Sequence, residues 1–227
     1  MARKRSYGQY CGLAHALELV GERWALLVIR DLVLGPKRFT DLRIGLPRIP
    51  TNVLSSRLKE LEQAGVVRRR TLPRPAASVI YELTDYGAEL EDIVLRLGRW
   101  GAQTLGDPAP EDIVTPDGEV LALRATFRPE AARGVHARFE LHVGDVTVHA
   151  IVDDGVLTAG EGPLPEPGLV IVIAEISALK PLLTREVGAA EAVASGFAEL
   201  TGDPAEFEKF VELFSVAPTP ADVGQVA

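Results

Sequence analysis

The stretch Ile49–Arg70, IPTNVLSSRLKELEQAGVVRRR, decides how the N-terminal half of the chain folds. At about 100° per residue, Leu54, Leu58 and Leu61 stack into one apolar stripe. Asn52, Ser56, Lys59 and Gln63 fall on the opposite face, and Ser55 and Arg57 flank the stripe. Pro50-Thr51 supplies the start of this helix. Gly65 suits the left-handed position just past its end. Val66–Leu72 then reads as a strand carrying three consecutive arginines.

Working upstream, Leu13, Ala14, Leu17 and Val20 recur at helical spacing and Gly21 closes the segment. Trp24, Leu27, Val28, Asp31 and Leu32 continue as a second helix that stops at Gly35-Pro36. Thr40-Asp41 caps a short third helix, which ends at Pro47. Downstream, a turn containing Pro73, Arg74 and Pro75 leads to a second strand, Val79–Thr84, completing a hairpin with a basic tip. A last helix covers roughly Tyr86–Leu105, with Leu90, Ile93, Val94, Leu97 and Trp100 as its stripe. Helix, helix, short helix, helix, hairpin, helix is the order of a winged helix-turn-helix. The chemistry fits that order. A helix fills the DNA major groove, where Asn pairs with adenine, Ser bonds either partner and Lys or Arg takes guanine or phosphate. Hairpin arginines neutralise phosphates along the flank.

Charge divides the chain in the same way. Residues 1–106 hold 17 Lys and Arg against 11 Asp and Glu, and residues 107–227 hold 7 against 21. A balance of +6 followed by −14 points to two modules with different partners. The expected organisation is a winged helix-turn-helix over 1–106, a linker over 107–117 within a seam, 106–118, that holds three prolines and two glycines, a sheet domain over 118–215 and a flexible tail over 216–227. The fold class is α+β. No apolar run is long enough to span a bilayer and no signal core follows the basic N-terminus, so a cytoplasmic protein is expected. The single cysteine, Cys11, fits a reducing compartment.

Cys11 together with ALELVGERWALLVIRDLVLGPKRFTDL, LSSRLKELEQAGVV and YELTDYGAEL resembles the HxlR family of winged-helix regulators, related to the MarR type. The resemblance covers about residues 7–105. One departure is Cys-Gly-Leu at 11–13, where the family often has Cys-Pro. The resemblance implies a homodimer on a pseudo-palindromic DNA operator, with dimer contacts from the first helix and the Tyr86–Leu105 helix. It places the groove helix at Thr51–Gln63 and the wing tip near Arg74. Candidate DNA contacts are Arg38, Thr40, Arg48, Thr51, Asn52, Ser55, Ser56, Arg57, Lys59 and Arg74. Taken singly, each polar residue of the groove helix could equally be a solvated surface. Trp24 and Trp100 read as core or dimer anchors. Some relatives of this type sense oxidants or electrophiles through an N-terminal cysteine. Cys11 is therefore a redox-sensor candidate, its thiol pKa lowered by Arg3-Lys4-Arg5 and a helix start, with inert packing as the default.

From Val120 the pattern turns to strands. Leu121, Leu123, Ala125 and Phe127 alternate, as do Val135–Val143 and Val146–Val152 about a Gly144-Asp145 turn. Asp154-Gly155 leads to Val156–Ala159, and Leu169–Ile176 reads as a central strand. Helices follow at about Ser177–Leu183 and Ala189–Ala194. The last begins at Asp203-Pro204 and carries Phe207, Phe210, Val211 and Phe214. The stretches GEGPLPEPGLVIVIAEISALKPLL and ASGFAELTGDPAEFEKFVELF resemble the sterol carrier protein type two fold over roughly 115–215. That resemblance implies a tunnel for a small hydrophobic effector, with Phe127, Phe139, Leu141, Leu182, Phe197, Phe207 and Phe210 as candidate lining residues. The alternative is that these side chains only pack the core. His136, His142 and His149 lack a thiol or clustered acid at ligand spacing, so no metal and no cofactor is expected. No nucleophile motif, phosphate loop or informative acidic pair is present, and the chain reads as a regulator, not an enzyme. The alternative function is a thiol-based switch at Cys11 with an architectural second domain.

Overall fold

The computed structural model describes residues 6–216 apart from 76, 110 and 174. The chain divides into two compact units, Met1–Val94 and Leu95–Ala227. The expected tail lies outside the described residues except for Val216, which is buried and donates its N–H to Leu183 O.

The first unit runs α1 (Gly12–Val20), α2 (Ala25–Val33), β1 (Lys37–Arg38), α3 (Phe39–Gly45), α4 (Thr51–Gln63), β2 (Val67–Thr71), β3 (Val79–Leu83) and α5 (Asp85–Ala88), then enters α6 (Leu90–Ala102). Its core is built from the apolar stripes. Val28, Ile29 and Leu32 of α2 meet Leu42 of α3 and Leu54, Leu58 and Leu61 of α4. The sheet order is β1-β3-β2, all antiparallel. Helix α4 ends as expected. Gly65 has φ +73°, its N–H reaches Glu62 O, and Val66 N–H reaches Leu61 O, a Schellman closure. The expected single helix Tyr86–Leu105 is instead two, α5 and α6, separated at Glu89.

The second unit is a five-stranded sheet in the order β6-β5-β4-β7-β8. Its strands are β4 (His136–Val143), β5 (Val146–Asp153), β6 (Val156–Glu161), β7 (Leu169–Ile173) and β8 (Glu199–Gly202). All neighbours are antiparallel except β4 and β7, which pair in parallel. The expected strand at Val120–Phe127 is a helix, α7 (Pro116–Thr126). Thr115 caps it by accepting from Gly118 N–H, and Pro116, Asp117 and Glu119 occupy its first turn. Val120, Leu121, Leu123 and Ala125 are all buried, so burial on several sides of the helix masks its period. Arg99 closes the other end, its Nε donating to Ala125 O at 2.5 Å and its Nη2 to Phe127 O at 3.4 Å.

After β7, a 3₁₀ turn at Ile176–Ala178 precedes α8 (Leu179–Leu183), followed by α9 (Ala189–Ala194) and α10 (Pro204–Leu213). Helix α10 starts as expected, with the Asp203 carboxylate accepting from Ala205 N–H and Pro204 at the first position.

Candidate nucleic-acid interface

Helix α4 is fixed by what it buries. Leu54, Leu58 and Leu61 are 0–2% exposed, so the helix cannot roll without emptying the core. That holds Thr51, Asn52, Ser55, Ser56 and Lys59 in solvent along the other side. The serine hydroxyls are already donors, Ser55 Oγ to Thr51 O at 2.9 Å and Ser56 Oγ to Glu60 Oε1 at 3.0 Å. Their lone pairs remain available to accept. Arg38, Thr40, Arg48 and Arg74 are also exposed. Arg38 N–H donates to Asp41 Oδ2 at 2.8 Å, which closes the start of α3. Asp41, rather than Thr40, supplies that cap.

Arg57 departs from expectation. Its side chain is only 16% exposed and its Nη1 lies 2.5 Å from Glu60 Oε2 and 3.6 Å from Glu22 Oε2. Two carboxylates hold it beside the helix instead of in front of it. The wing arginines differ among themselves as well. Arg68 and Arg70 both bond Glu82, while Arg69 stands exposed on the opposite face of β2.

Thr84 ties this surface together. Its Oγ1 donates to Gly65 O at 2.6 Å and accepts from Gly87 N–H at 3.0 Å, and its own N–H reaches Val66 O at 3.0 Å. One threonine therefore joins the end of α4, the end of β3 and the start of α5. The motif Leu83-Thr84-Asp85-Tyr86-Gly87 gives no local sign of this role, because Gly65 and Val66 lie outside it.

Cys11 is exposed and is the N-cap of α1. Its place at the start of α1, beside the backbone N–H groups of Ala14 and then Leu13, holds the thiol below its ordinary pKa. The expected contribution of Arg3-Lys4-Arg5 lies outside the described residues. Trp24 is half-buried against the core, whereas Trp100 is 69% exposed on α6, with Ile93 and Leu97 at 56% and 45%.

The family model described as HxlR-like helix-turn-helix matches residues 19–108. Two regulators of Bacillus subtilis are similar over this region. The HTH-type transcriptional regulator YodB is 41% identical over 88 residues, covering 39% of this chain and 79% of its own. The uncharacterized HTH-type transcriptional regulator YvaP is 36% identical over 94 residues, covering 41% and 86%. The chain belongs to the HxlR-like helix-turn-helix family. Among solved structures, the HxlR-like chain is similar to the reduced form of YodB at 38% identity and TM-score 0.39, covering 44% of this chain and 100% of that one. It is similar to redox regulator HypR in its oxidized form at 32% identity and TM-score 0.40, covering 42% and 99%.

The second unit matches a different family from the one its sequence resembles. The model described as alkyl sulfatase C-terminal covers residues 120–220, which replaces the sterol-carrier expectation. Of the seven candidate tunnel residues, Phe127, Phe139, Leu141, Leu182, Phe207 and Phe210 are buried, and Phe197 is 41% exposed and so does not join them. The rings fill one another's space. Phe139 meets Phe210 edge-on at 5.3 Å, and Phe210 lies 4.7 Å from Phe214.

The histidine-bearing face of the sheet is not simply solvated. Glu140 is buried and accepts from Leu164 N–H and from His142, both at 2.7 Å. These bonds, Leu164 first, hold its carboxyl below the usual range. His149 Nδ1 reaches Gly162 O at 2.9 Å, and Arg138 donates to Pro165 O and Glu166 O. Residues 162–166 are thus strapped across the strands. Among the described residues no group of three or more His, Cys, Asp or Glu could hold a metal ion. No helix among them is long and apolar enough to cross a membrane.

Proposed function

We propose that this HxlR-like chain binds double-stranded DNA as a homodimer, placing α4 in the major groove of each half of a pseudo-palindromic operator. The observation that carries this reading is the opposition on α4. Three fully buried leucines fix one side, and Asn52, Ser55, Ser56 and Lys59 are presented on the other. Asn52 suits a bidentate bond to adenine, and Lys59 suits guanine or phosphate. Arg38, Arg48, Thr40, Thr51 and Arg74 flank it as backbone contacts. Arg57 acts through Glu22 and Glu60 as a brace for α4. The exposed apolar residues Ile93, Leu97 and Trp100 of α6, and Leu13 and Leu17 of α1, are the surfaces a second copy would cover.

The bounds 1–106 for the DNA-binding part and 118–215 for the sheet part go with this reading. The second unit is the regulatory part, acting without catalysis. A small apolar effector that prefers one spacing of the two groove helices shifts operator affinity through that difference alone. The test is fluorescence anisotropy of the full chain on its own promoter DNA across a salt series. Asn52→Ala and Lys59→Ala should each weaken operator binding, by about 1–3 kcal/mol for the base-contacting asparagine. Unchanged affinity in both variants would remove α4 as the reading element.

A second reading is favoured by the lowered Cys11 thiol. Exposure and helix-terminal N–H groups together make the thiolate, the reactive form, more accessible at neutral pH. In that reading oxidation at Cys11 is the input and the second unit is architecture.

A further inference from the structure

One face of the three-stranded sheet carries more cation than it displays. Cross-strand partners point to the same face. Arg38, Ile80 and Arg70 are partners across β1, β3 and β2, and Arg68 stands opposite Glu82. The alternate residues Val67, Tyr81 and Leu83 face the core. Three guanidinium groups therefore share this face with one carboxylate and the buried Ile80. Arg68 Nε donates to Glu82 Oε1 at 2.7 Å, and Arg70 donates from Nε to Oε1 at 3.2 Å and from Nη2 to Oε2 at 3.0 Å. The carboxylate is 11% exposed, whereas the Arg68 and Arg70 side chains are 60% and 52% exposed. Glu82 is thus a nearly enclosed anion between two cations that remain open to solvent. The bonds from Arg70 and then Arg68 hold its carboxyl below the usual range, so it stays ionised wherever the protein would meet DNA.

A DNA phosphate offers these arginines what Glu82 offers: two oxygens accepting from a planar fork of N–H donors. The two acceptors compete. We propose that Glu82 is an internal rival of DNA phosphate that keeps Arg68 and Arg70 off the backbone of non-specific duplex. The proposal rests on the reading of this unit as DNA-binding and concerns how that binding is made selective. Phosphate contacts supply sequence-independent affinity, and base contacts supply discrimination. Withholding two arginines weakens the first and leaves the base contacts of α4 untouched. Arg69, on the opposite face, and Arg74, at the tip, are outside this arrangement.

The test uses the full chain and a mixed-sequence duplex with no operator, read by anisotropy over a salt series. Each phosphate contact steepens the slope of log K against log salt by about 0.9. Glu82→Gln keeps the shape and removes the charge, so its slope should be steeper than wild type by roughly 1.8 if both arginines reach phosphate. The triple variant Arg68→Gln, Arg70→Gln, Glu82→Gln should return to about the wild-type slope. A wild-type slope in Glu82→Gln, or equal slopes in that variant and the triple, would overturn the proposal. Should Glu82→Gln not fold, Arg70→Gln decides between the same two outcomes. It should leave the slope unchanged, and a loss of about 0.9 would mean Arg70 already sits on phosphate and would overturn the proposal. A wild-type protein with no salt-dependent affinity for any duplex would instead remove the DNA-binding reading itself, an outcome distinct from either result.

Discussion

Gly87→Ala tests whether the wing and α4 are one rigid body. A β-carbon at Gly87 would press into the Val66 carbonyl oxygen, with Val66 C at 3.0 Å and Val66 Cγ1 at 3.3 Å. Val66 is 1% exposed, so it has no room to retreat. The φ of Gly87 is not left-handed, so the cost is one of contact alone. Relief requires α5 to withdraw. That stretches three hydrogen bonds: Gly87 N–H to Thr84 Oγ1, Thr84 Oγ1 to Gly65 O, and Thr84 N–H to Val66 O. At about 1 kcal/mol each their loss costs roughly 3 kcal/mol. The helix preference of alanine returns up to about 1 kcal/mol. The net loss is about 2 kcal/mol, which for a unit of this size lowers Tm by roughly 8–16 °C. Urea unfolding followed by Trp24 fluorescence, in a Trp100→Phe background, isolates the first unit because the chain has only two tryptophans. A variant within about 0.5 kcal/mol of its parent would show that α5 moves freely from Val66 and refute the argument.

Three further outcomes follow from the same structure. Burial pushes the Glu119 carboxyl up to about 7. Its folded value lies above its unfolded one, so the neutral acid is the form that suits the fold. The contribution of Glu119 to stability is therefore full below about pH 4.5 and declines as pH rises towards 7, by about 1–3 kcal/mol after allowance for partial exposure. Glu119→Gln should flatten that window in urea titrations, and a parallel decline in the variant would point to another group. Cys11→Ser should abolish any oxidant-induced change in operator affinity without altering affinity in reductant; a persisting oxidant response would exclude the thiol as input. Trp100→Ala with Leu97→Ala should shift sedimentation equilibrium towards monomer, and an unchanged dimer would move the interface off α6.

Legibility in the sequence followed the range of the interaction that shapes each element. Helix α4 was readable because everything defining it lies within its own residues: the leucine stripe, the left-handed Gly65 and a polar opposite face. Helix α7 is hidden in the sequence, although Thr115, Pro116 and Asp117 form a helix start, because the three prolines of 106–118 favour a linker and its apolar residues also alternate. Strand β8 has four mostly exposed residues and too little pattern to detect, and it forms because β7 offers it an edge. The parallel partnership of β4 and β7 joins residues about thirty apart, beyond any hairpin rule. The candidate site shows the same limit. Helical spacing says where a β-carbon points, and it placed Asn52 and Lys59 correctly in solvent. It does not say where a long side chain ends, which is why Arg57 was expected at the groove and instead sits between Glu22 and Glu60. The arginine run of β2 was legible as charge but not as available charge. Once the hairpin register is fixed, Arg68 must stand opposite Glu82, and that one pairing turns a cationic strand into a partly neutralised one. An electrostatic footprint read from composition therefore needs strand register before it can count the cations left for a polyanion.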